Sequence, residues 1–156
     1  MSNFGCKILN EQMPEVKLIT PKKFGDNRGF FLERYNEKAF KEMGVDINFI
    51  QDNHSFSAQK GTLRGLHTQR APFAQDKLVS VLSGAVFDVA VDLRPSSPTF
   101  KQWVSAILTA EEANMLLVPK GFAHGFCTLT ENVNFFYKVS AYYEPTADCG
   151  FRWDDK

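Results

Sequence analysis

The chain has 156 residues, which is typical of one domain, and we expect a single domain over residues 1–156. Apolar residues make up 44% of the chain, too large a share for a disordered protein. Lys and Arg number 18 and Asp and Glu number 18, whereas proteins that bind nucleic acid or membrane surfaces carry a large basic excess. We therefore expect neither nucleic acid nor membrane as a partner.

The N-terminal residues and the cysteines favour a cytoplasmic location. Residues 1–5 lack the charged and apolar regions of a secretory signal, and no apolar run approaches the length of a membrane span. Cys6, Cys127 and Cys149 are widely spaced and match neither a zinc motif nor a redox pair. Three free thiols in a reducing cytoplasm are the simplest interpretation.

The first element predicted along the chain is a short helix. Asn36 can cap its N-terminus, Ala39, Phe40 and Met43 share one face, and Gly44 can end it. The helix is expected to pack this apolar face on a sheet, because the rest of the chain has the pattern of strands.

Strands dominate the remaining sequence. Lys77–Leu82 and Ala85–Leu93 flank Ser83-Gly84, a pattern that predicts a β-hairpin. Further strands are predicted at residues 103–108, 115–118, 126–129 and 133–143. Many short strands with few helices predict an all-β sandwich or jelly roll, whose interior can hold a small ligand.

Strict alternation along residues 85–93 separates two kinds of side chain. Phe87, Val89 and Val91 point to one side of the strand, whereas Asp88 and Asp92 point to the other. An inward carboxylate close to the lysine that opens the preceding strand would keep that lysine charged.

His67 has two interpretations in its own segment, residues 62–69. Alternation places His67 and Gly65 on one face and Arg64 on the other, but a bulge at the glycine would bring both side chains together. The histidine is then either a general base beside a phosphate-binding arginine or a histidine hydrogen-bonded within a sheet. The segment alone favours the second interpretation.

His124 follows a turn, Pro119 to Ala123, that resembles the second motif of the cupin superfamily, where this histidine often binds a metal. The first cupin motif normally supplies two further histidines and a glutamate, whereas here His67 is followed by Thr68 and Gln69. A transition metal needs three or four such ligands held together. We therefore expect no metal.

Several other side chains suit a ligand site, although each also has an ordinary structural explanation. Gln51 and Asn53 share a strand face and can both reach a ligand. Lys77 opens a strand, Tyr137 is flanked by apolar residues, and Tyr143 offers an aromatic face for stacking a base. Taken one at a time, none of these side chains identifies a function.

Seven segments taken together resemble the dTDP-4-dehydrorhamnose 3,5-epimerase family. They are Phe24–Glu33, Phe49–Ser55, Leu63–His67, Lys77–Val79, Val86–Asp92, Ser97–Phe100 and Gly121–Phe126. The resemblance runs from Pro21 to Trp153, in order and with near-constant spacing.

The resemblance implies an all-β cupin jelly roll with few short helices, usually a homodimer and without a cofactor. It implies a dTDP-linked 4-keto-6-deoxy sugar as the substrate, which is epimerised at C3, at C5 or at both. The implied product of dTDP-4-keto-6-deoxyglucose is dTDP-4-keto-rhamnose, a precursor for surface polysaccharides. Single-position epimerases share these residues, and ketoisomerases on the same fold resemble the chain less. A metal-dependent cupin oxygenase is a further class, which metal analysis of the purified protein would reject if no stoichiometric metal is found.

The resemblance also implies roles for individual residues. His67 matches the general base, Tyr137 the proton donor on the opposite face, and Lys77 the lysine near the sugar ketone. The positions that match nucleotide-sugar contacts are Arg28, Glu33, Gln51, Asn53, Arg64 and His124, with Tyr143 stacking on the thymine. The residue types suit the chemistry, because imidazole can remove a proton beside a ketone and a nearby cation stabilises the enolate.

Two departures from the family pattern leave alternatives open. Thr68 stands where the family usually has an aromatic residue, and the family's C-terminal tail, which carries the aspartate paired with the base, is expected to be missing after Trp153–Asp155. The chain is then part of a longer enzyme, which we favour, or a naturally short one, with Asp88 as the substitute carboxylate for His67. The third alternative is a non-catalytic protein that binds nucleotide-sugars.

Overall fold

The computed structural model describes residues 3–155, and β-strands form most of the regular structure there. In chain order the elements are β1 Phe4–Ile8, β2 Lys17–Pro21, β3 Phe24–Asp26, β4 Gly29–Phe31, α1 Glu37–Glu42, β5 Gln51–Ser57, β6 Leu63–Gln69, β7 Lys77–Ser83, β8 Ala85–Asp92, β9 Trp103–Thr109, β10 Met115–Val118, β11 Phe122–Thr128, β12 Val133–Val139 and β13 Asp148–Gly150. In residues 3–155 no helix has the length and apolar character that crossing a membrane requires.

Two antiparallel sheets form the body of the protein. The six-stranded sheet has the order β1-β2-β10-β7-β12-β5, and the five-stranded sheet has the order β13-β6-β11-β8-β9. Within residues 3–155, β3 and β4 pair only with each other. Most neighbours in the sheets are distant in sequence, as in a jelly roll, so the all-β prediction is confirmed.

The main core lies between the two sheets and draws apolar side chains from both. Its buried members are Met13, Val16, Val79, Val81, Val86, Ala90, Val104, Leu108, Leu116, Val118, Phe122, Phe126, Val133 and Phe135. Burial of this much apolar surface is the main source of stability, and it fixes the separation of the sheets.

The predicted helix is α1, and its local signals act as expected. The side chain of Asn36 accepts a hydrogen bond from the backbone N–H of Ala39 at 3.1 Å, and Gly44 follows the helix with φ +79°. Phe40 is buried and meets the rings of Phe4 and Tyr35 edge-on. The helix therefore covers the outer side of the six-stranded sheet.

The predicted hairpin between β7 and β8 is wrong. Both strands exist, but β7 pairs with β10 and β12 in one sheet, whereas β8 pairs with β9 and β11 in the other. Gly84, with φ +79°, carries the chain between the sheets, and a Cβ there would lie 2.9 Å from Cγ2 of Val133. A turn signal indicates where a chain bends, but the partner of each strand depends on the rest of the fold.

The alternation predicted along β8 is confirmed, and its polar side is the interior. Asp88 and Asp92 have no exposed surface, whereas Phe87 is 38% exposed on the outer face. The Asp92 carboxylate accepts hydrogen bonds from Arg94, Ser97 and Thr99. Burial of a carboxylate is tolerated where such partners satisfy it.

Candidate active site

A cavity of about 830 Å³ is lined by strands of both sheets. The lining residues are Gln51, Asn53, Gly65, Leu66, His67, Gln69, Gln75, Lys77, Tyr137, Tyr143, Asp148, Cys149, Gly150, Phe151 and Arg152. All three predicted catalytic residues are among them, together with three of the predicted ligand contacts. A cavity of this size suits a small organic ligand.

The six-stranded sheet contributes a polar patch to the cavity. In the register of this sheet Tyr137 lies opposite Asn53, and Val139 lies opposite both Gln51 and Lys77. Residues two apart on a strand share a face, so the tyrosine, the lysine and the two amides point to the same side. Nε2 of Gln51 donates to Oδ1 of Asn53 at 2.9 Å, which orients both amides.

The five-stranded sheet contributes His67 through a bulge. His67 lies opposite His124, whereas Arg64 lies opposite Phe126, so β6 has one more residue than β11 over this stretch. The extra residue brings Arg64 and His67 to the same side, as the sequence allowed. Gly65, with φ +95°, accommodates the bulge.

Position 65 also requires glycine because there is no space for a side chain. A Cβ at this position would lie 2.7 Å from Cα of Gly125 and 3.2 Å from Nδ1 of His67. The imidazole therefore packs directly against the backbone of the bulge, and the absence of a side chain at Gly65 sets its position.

Arg64 is held at the edge of the site by the neighbouring strand. Its Nε donates to Oγ of Ser57 at 3.1 Å, and its Nη2 donates to the backbone carbonyl of Phe56 at 3.0 Å. Its positive charge acts on the Tyr137 phenol, whose pKa it lowers against the larger effect of burial. The guanidinium is thus fixed close to the cavity, although its side chain does not line it.

His67 is a neutral imidazole at ordinary pH. Burial lowers its pKa to about 3, and the electrostatic interactions with Lys77 and with His124 act in the same direction. Within residues 3–155 no hydrogen bond reaches the ring. The interpretation of His67 as a hydrogen-bonded structural histidine is therefore wrong, and both ring nitrogens remain available for other contacts.

Asp88 is not the partner of His67, and this expectation is corrected. Nε2 of His124 lies 2.9 Å from Oδ1 and 3.0 Å from Oδ2 of the Asp88 carboxyl group. The reason is the sheet order, since β11 with His124 lies between β6 and β8. Burial raises the pKa of Asp88, and the histidine opposes this rise. His124 in turn meets the His67 ring edge-on, with centroids 6.2 Å apart.

Lys77 is buried at the start of β7, with 4% of its surface exposed. Burial lowers its pKa to about 8, while the carboxylates of Asp148 and Asp88 oppose this shift. The expectation that an inward carboxylate supports the charge of Lys77 therefore describes Asp88 correctly. The lysine remains largely protonated at neutral pH.

Tyr137 lies beside Lys77 and keeps its proton. Burial raises the pKa of the phenol, and the charge of Asp148 raises it further. A protonated phenol in this position can donate a proton into the cavity.

Four of the seven predicted contacts do not line this cavity. Arg64 and His124 lie next to it, whereas Arg28 and Glu33 lie in or just after the β3–β4 hairpin. The Arg28 side chain is 84% exposed between β3 and β4 and pairs with Asp26 at 2.6 Å. Oε2 of Glu33 accepts a hydrogen bond from Asn3 at 3.3 Å. Neither residue lines the cavity, because the β3–β4 hairpin pairs with neither of the large sheets.

The cavity wall formed by β13 was not predicted from the sequence. This strand has three residues, and its Asp148 lies opposite Gln69 while Gly150 lies opposite His67. The phenol of Tyr143 donates to Oδ2 of Asp148 at 3.4 Å. A short Asp-Cys-Gly strand has no periodicity to detect, although its glycine is compatible with a close backbone approach.

Within residues 3–155 no three His, Cys, Asp or Glu side chains come together as a metal site. The site and its surroundings contain a cluster of polar side chains, which are Arg64, His67, Lys77, His124 and Tyr137. Such a group can move protons and stabilise a developing oxyanion.

Comparisons with known proteins identify a family. The profile described as dTDP-4-dehydrorhamnose 3,5-epimerase matches residues 10–156. The enzyme of that name from Escherichia coli (strain K12) is 49% identical over 150 residues, which cover 96% of this chain and 80% of the relative.

Solved structures agree in fold. The crystal structure of dTDP-4-dehydrorhamnose 3,5-epimerase from Bacillus anthracis str. Ames, with TDP and PPi bound, has a TM-score of 0.93 and 52% identity, covering 97% of this chain and 87% of that one. The dTDP-6-deoxy-D-glucose-3,5-epimerase of Legionella pneumophila Philadelphia 1, in complex with dTDP-4-keto-L-rhamnose, has a TM-score of 0.90 and 49% identity, covering 97% and 80%.

Proposed function

The chain belongs to the dTDP-4-dehydrorhamnose 3,5-epimerase family, and we propose that the cavity beside His67 is the place of its reaction. The enzyme is an isomerase that inverts C3 and C5 of a dTDP-linked 4-keto-6-deoxy sugar. One observation carries the assignment of the site: His67 from one sheet and Tyr137 from the other line the same cavity, with Lys77 beside the tyrosine.

The first half of the reaction is proton removal by His67. The neutral imidazole takes the proton from the carbon beside the ketone, and the C–H electrons form an enolate. The ammonium of Lys77 stabilises the negative charge on the enolate oxygen, and the burial of this side chain strengthens the interaction. Because its pKa is low, His67 is unprotonated and can accept a proton, although the same low pKa makes it a weaker base.

The second half is proton return from the opposite side. Tyr137 lies on the six-stranded sheet, so its phenol can protonate the enolate on the face away from His67, and the carbon is inverted. Exchange with water then restores the phenol and the imidazole. The same groups can serve both carbons beside the ketone, and atoms and charges balance without a further reagent.

The nucleotide lies towards Arg64, Gln51, Asn53 and Tyr143 in this proposal. The guanidinium of Arg64 suits a diphosphate oxygen, and the two amides offer both donors and acceptors. Tyr143 is 56% exposed and offers an aromatic face to the base. His124 does not contact the ligand in this proposal. Its pairing with Asp88 holds it against the imidazole of His67, the catalytic base.

A homodimer in the cytoplasm completes the proposal. Phe24, Phe30 and Phe31 on β3 and β4 are 43%, 62% and 67% exposed, which is unusual for a monomer. Packing of this hairpin against a second copy would bury the rings. It would also allow Arg28 and Glu33 to contact a ligand bound in the cavity of that second copy. Light scattering on the purified protein tests the dimer, and a monomer at all concentrations would contradict it.

Solvent exchange tests the proposed site. Incubation with dTDP-4-keto-6-deoxyglucose in deuterated water should introduce deuterium at C3 and C5, detected by proton NMR. We expect His67→Asn to abolish this exchange while dTDP binding persists. The matched control is His54→Asn, because His54 is an exposed histidine bonded to Asn134 and should not affect exchange.

Each remaining outcome has a distinct meaning. Full exchange by His67→Asn would remove His67 from the role of base. Deuterium at one carbon alone would identify a single-position epimerase. Binding of dTDP by the wild-type chain with no exchange would favour the non-catalytic nucleotide-sugar binder.

A further inference from the structure

Tyr143 lies on an irregular segment, residues 140–147, between β12 and β13. An aromatic ring stacks on a flat ligand only if its backbone holds it in place, and a segment without helix or strand has no ladder to do so. Among the described residues, the phenol of Tyr143 makes one long hydrogen bond, 3.4 Å to Asp148. The position of the ring therefore depends on what holds the main chain around it.

Gln69 holds that main chain on both sides of the tyrosine. Its Oε1 accepts a hydrogen bond from the backbone N–H of Glu144 at 2.8 Å, and its Nε2 donates to the carbonyl of Tyr142 at 3.2 Å. The second Nε2 hydrogen serves the carbonyl of Phe73 at 2.7 Å. One buried amide, 4% exposed, thus ties the segment of Tyr143 to the loop after β6.

Two other glutamines support the same segment more weakly. Nε2 of Gln75 donates to the carbonyl of Ala141 at 2.8 Å. Oε1 of Gln51 accepts from the backbone N–H of Tyr143 at 3.4 Å. The residues before, at and after the tyrosine are thus all bonded to glutamine side chains.

We propose that Gln69 is a positioning residue for nucleotide recognition, acting through Tyr143. This inference rests on the proposed function, in which the tyrosine stacks on the base. Both amide hydrogens of Gln69 are already used, so the side chain has no donor left for a ligand. Its effect on binding passes through the backbone of residues 142–144, which it fixes before the ligand arrives.

The location of Gln69 on β6 gives this role a further consequence. Gln69 lies two positions from His67 on the same strand. The strand that carries the catalytic histidine therefore also fixes the segment that carries Tyr143. The position of the stacking ring relative to the catalytic imidazole is thereby set by one strand.

The test is a double-mutant cycle on dTDP affinity, measured by titration calorimetry. We expect Gln69→Met, which has a similar size but no amide, to weaken dTDP binding about tenfold. In the Tyr143→Ala background the same substitution should change affinity less than about twofold, because the ring that it positions is absent. Pyrophosphate, which has no base, should bind equally to wild type and Gln69→Met. With the sugar substrate, KM should rise while kcat is retained.

The matched control is Asn114→Leu. Asn114 is another buried amide that bonds two backbone groups, those of Thr109 and Ile107, at the end of β10 remote from Lys77. It should lower stability without lowering dTDP affinity. Should Gln69→Met fail to fold, Gln75→Met must show a smaller loss of affinity that also disappears in the Tyr143→Ala background.

The outcomes separate this inference from the proposed function. Equal losses in both Tyr143 backgrounds, or no loss at all, would overturn the positioning role while leaving the epimerase site intact. A wild-type chain that does not bind dTDP would overturn both. A loss for dTDP confined to the background with Tyr143 supports the inference.

Discussion

Lys77 combines burial with a charge that the reaction needs. Its pKa of about 8 means that the ammonium is lost as the pH rises through that value. Because the protonated form stabilises the enolate, kcat/KM should fall on the alkaline side with a midpoint near this pKa. Initial rates of epimerisation between about pH 6 and about pH 10 measure the midpoint.

The variant Lys77→Met should lack this alkaline decrease and lower kcat by about a hundredfold to a thousandfold, as expected for loss of an oxyanion partner. Lys138→Met is the control, since Lys138 pairs with Asp52 and does not line the cavity. A profile for Lys77→Met that keeps the wild-type midpoint would assign the titration to another group.

Tyr137 is the residue at which exchange and inversion can be separated. Tyr137→Phe removes the phenol and keeps the ring, so proton removal by His67 should continue while protonation on the opposite face is slowed. We expect deuterium to enter the substrate faster than epimer forms, as measured by NMR in deuterated water. An equal decrease of both rates would indicate that the tyrosine acts through packing.

At the scale of the element, the bulge in β6 determines the geometry of the base. Gly65→Ala places a methyl group 2.7 Å from Cα of Gly125 and 3.2 Å from the His67 ring, in a backbone conformation that L-residues rarely adopt. The histidine must shift, and kcat should fall by about a hundredfold or more, because small displacements of reacting groups are costly.

Gly5→Ala is the matched control for this substitution. Gly5 lies on β1, where an added Cβ would come no closer than 3.8 Å to the carbonyl oxygen of Thr20. Its activity should remain near that of the wild type. If Gly65→Ala were equally active, the bulge would not be what positions His67.

Local signals in the sequence predicted elements better than they predicted partners. The cap at Asn36 and the terminating Gly44 defined α1, because both act within a few residues. The hairpin at Gly84 was wrong, since the partners of β7 and β8 come from distant segments. The family resemblance assigned His67, Lys77 and Tyr137 to one site, and all three line the same cavity, while their roles stay predictions. The pairing of Asp88 depended on a sheet order that no local pattern contains.

For the whole molecule, His67 links activity to stability. Its pKa is about 3 when folded and near 6.5 when unfolded, so between these values only the unfolded chain binds the proton. The free energy of unfolding therefore falls as the pH drops below about 6.5. In His67→Asn this contribution is absent, and the decrease between about pH 7 and about pH 5 should be smaller by about 1 to 2 kcal/mol.

Urea unfolding at the two pH values measures the difference. His54→Asn, at an exposed position, should keep the wild-type decrease. An unchanged decrease in His67→Asn would mean that the imidazole accepts a proton in the folded chain as readily as in the unfolded one.

The crossing at Gly84 has a consequence for how the chain folds. Since β7 and β8 enter opposite sheets, the two strands at the centre of the sequence cannot begin a sheet by zipping together. β7 pairs with β10 and β12, which follow it at a distance in sequence, and β12 also pairs with β5. Several long loops must therefore close before the core is complete. Such topologies fold slowly, in roughly milliseconds to seconds. We therefore expect the cavity, with a base on one wall and an acid on the other, to form late in folding.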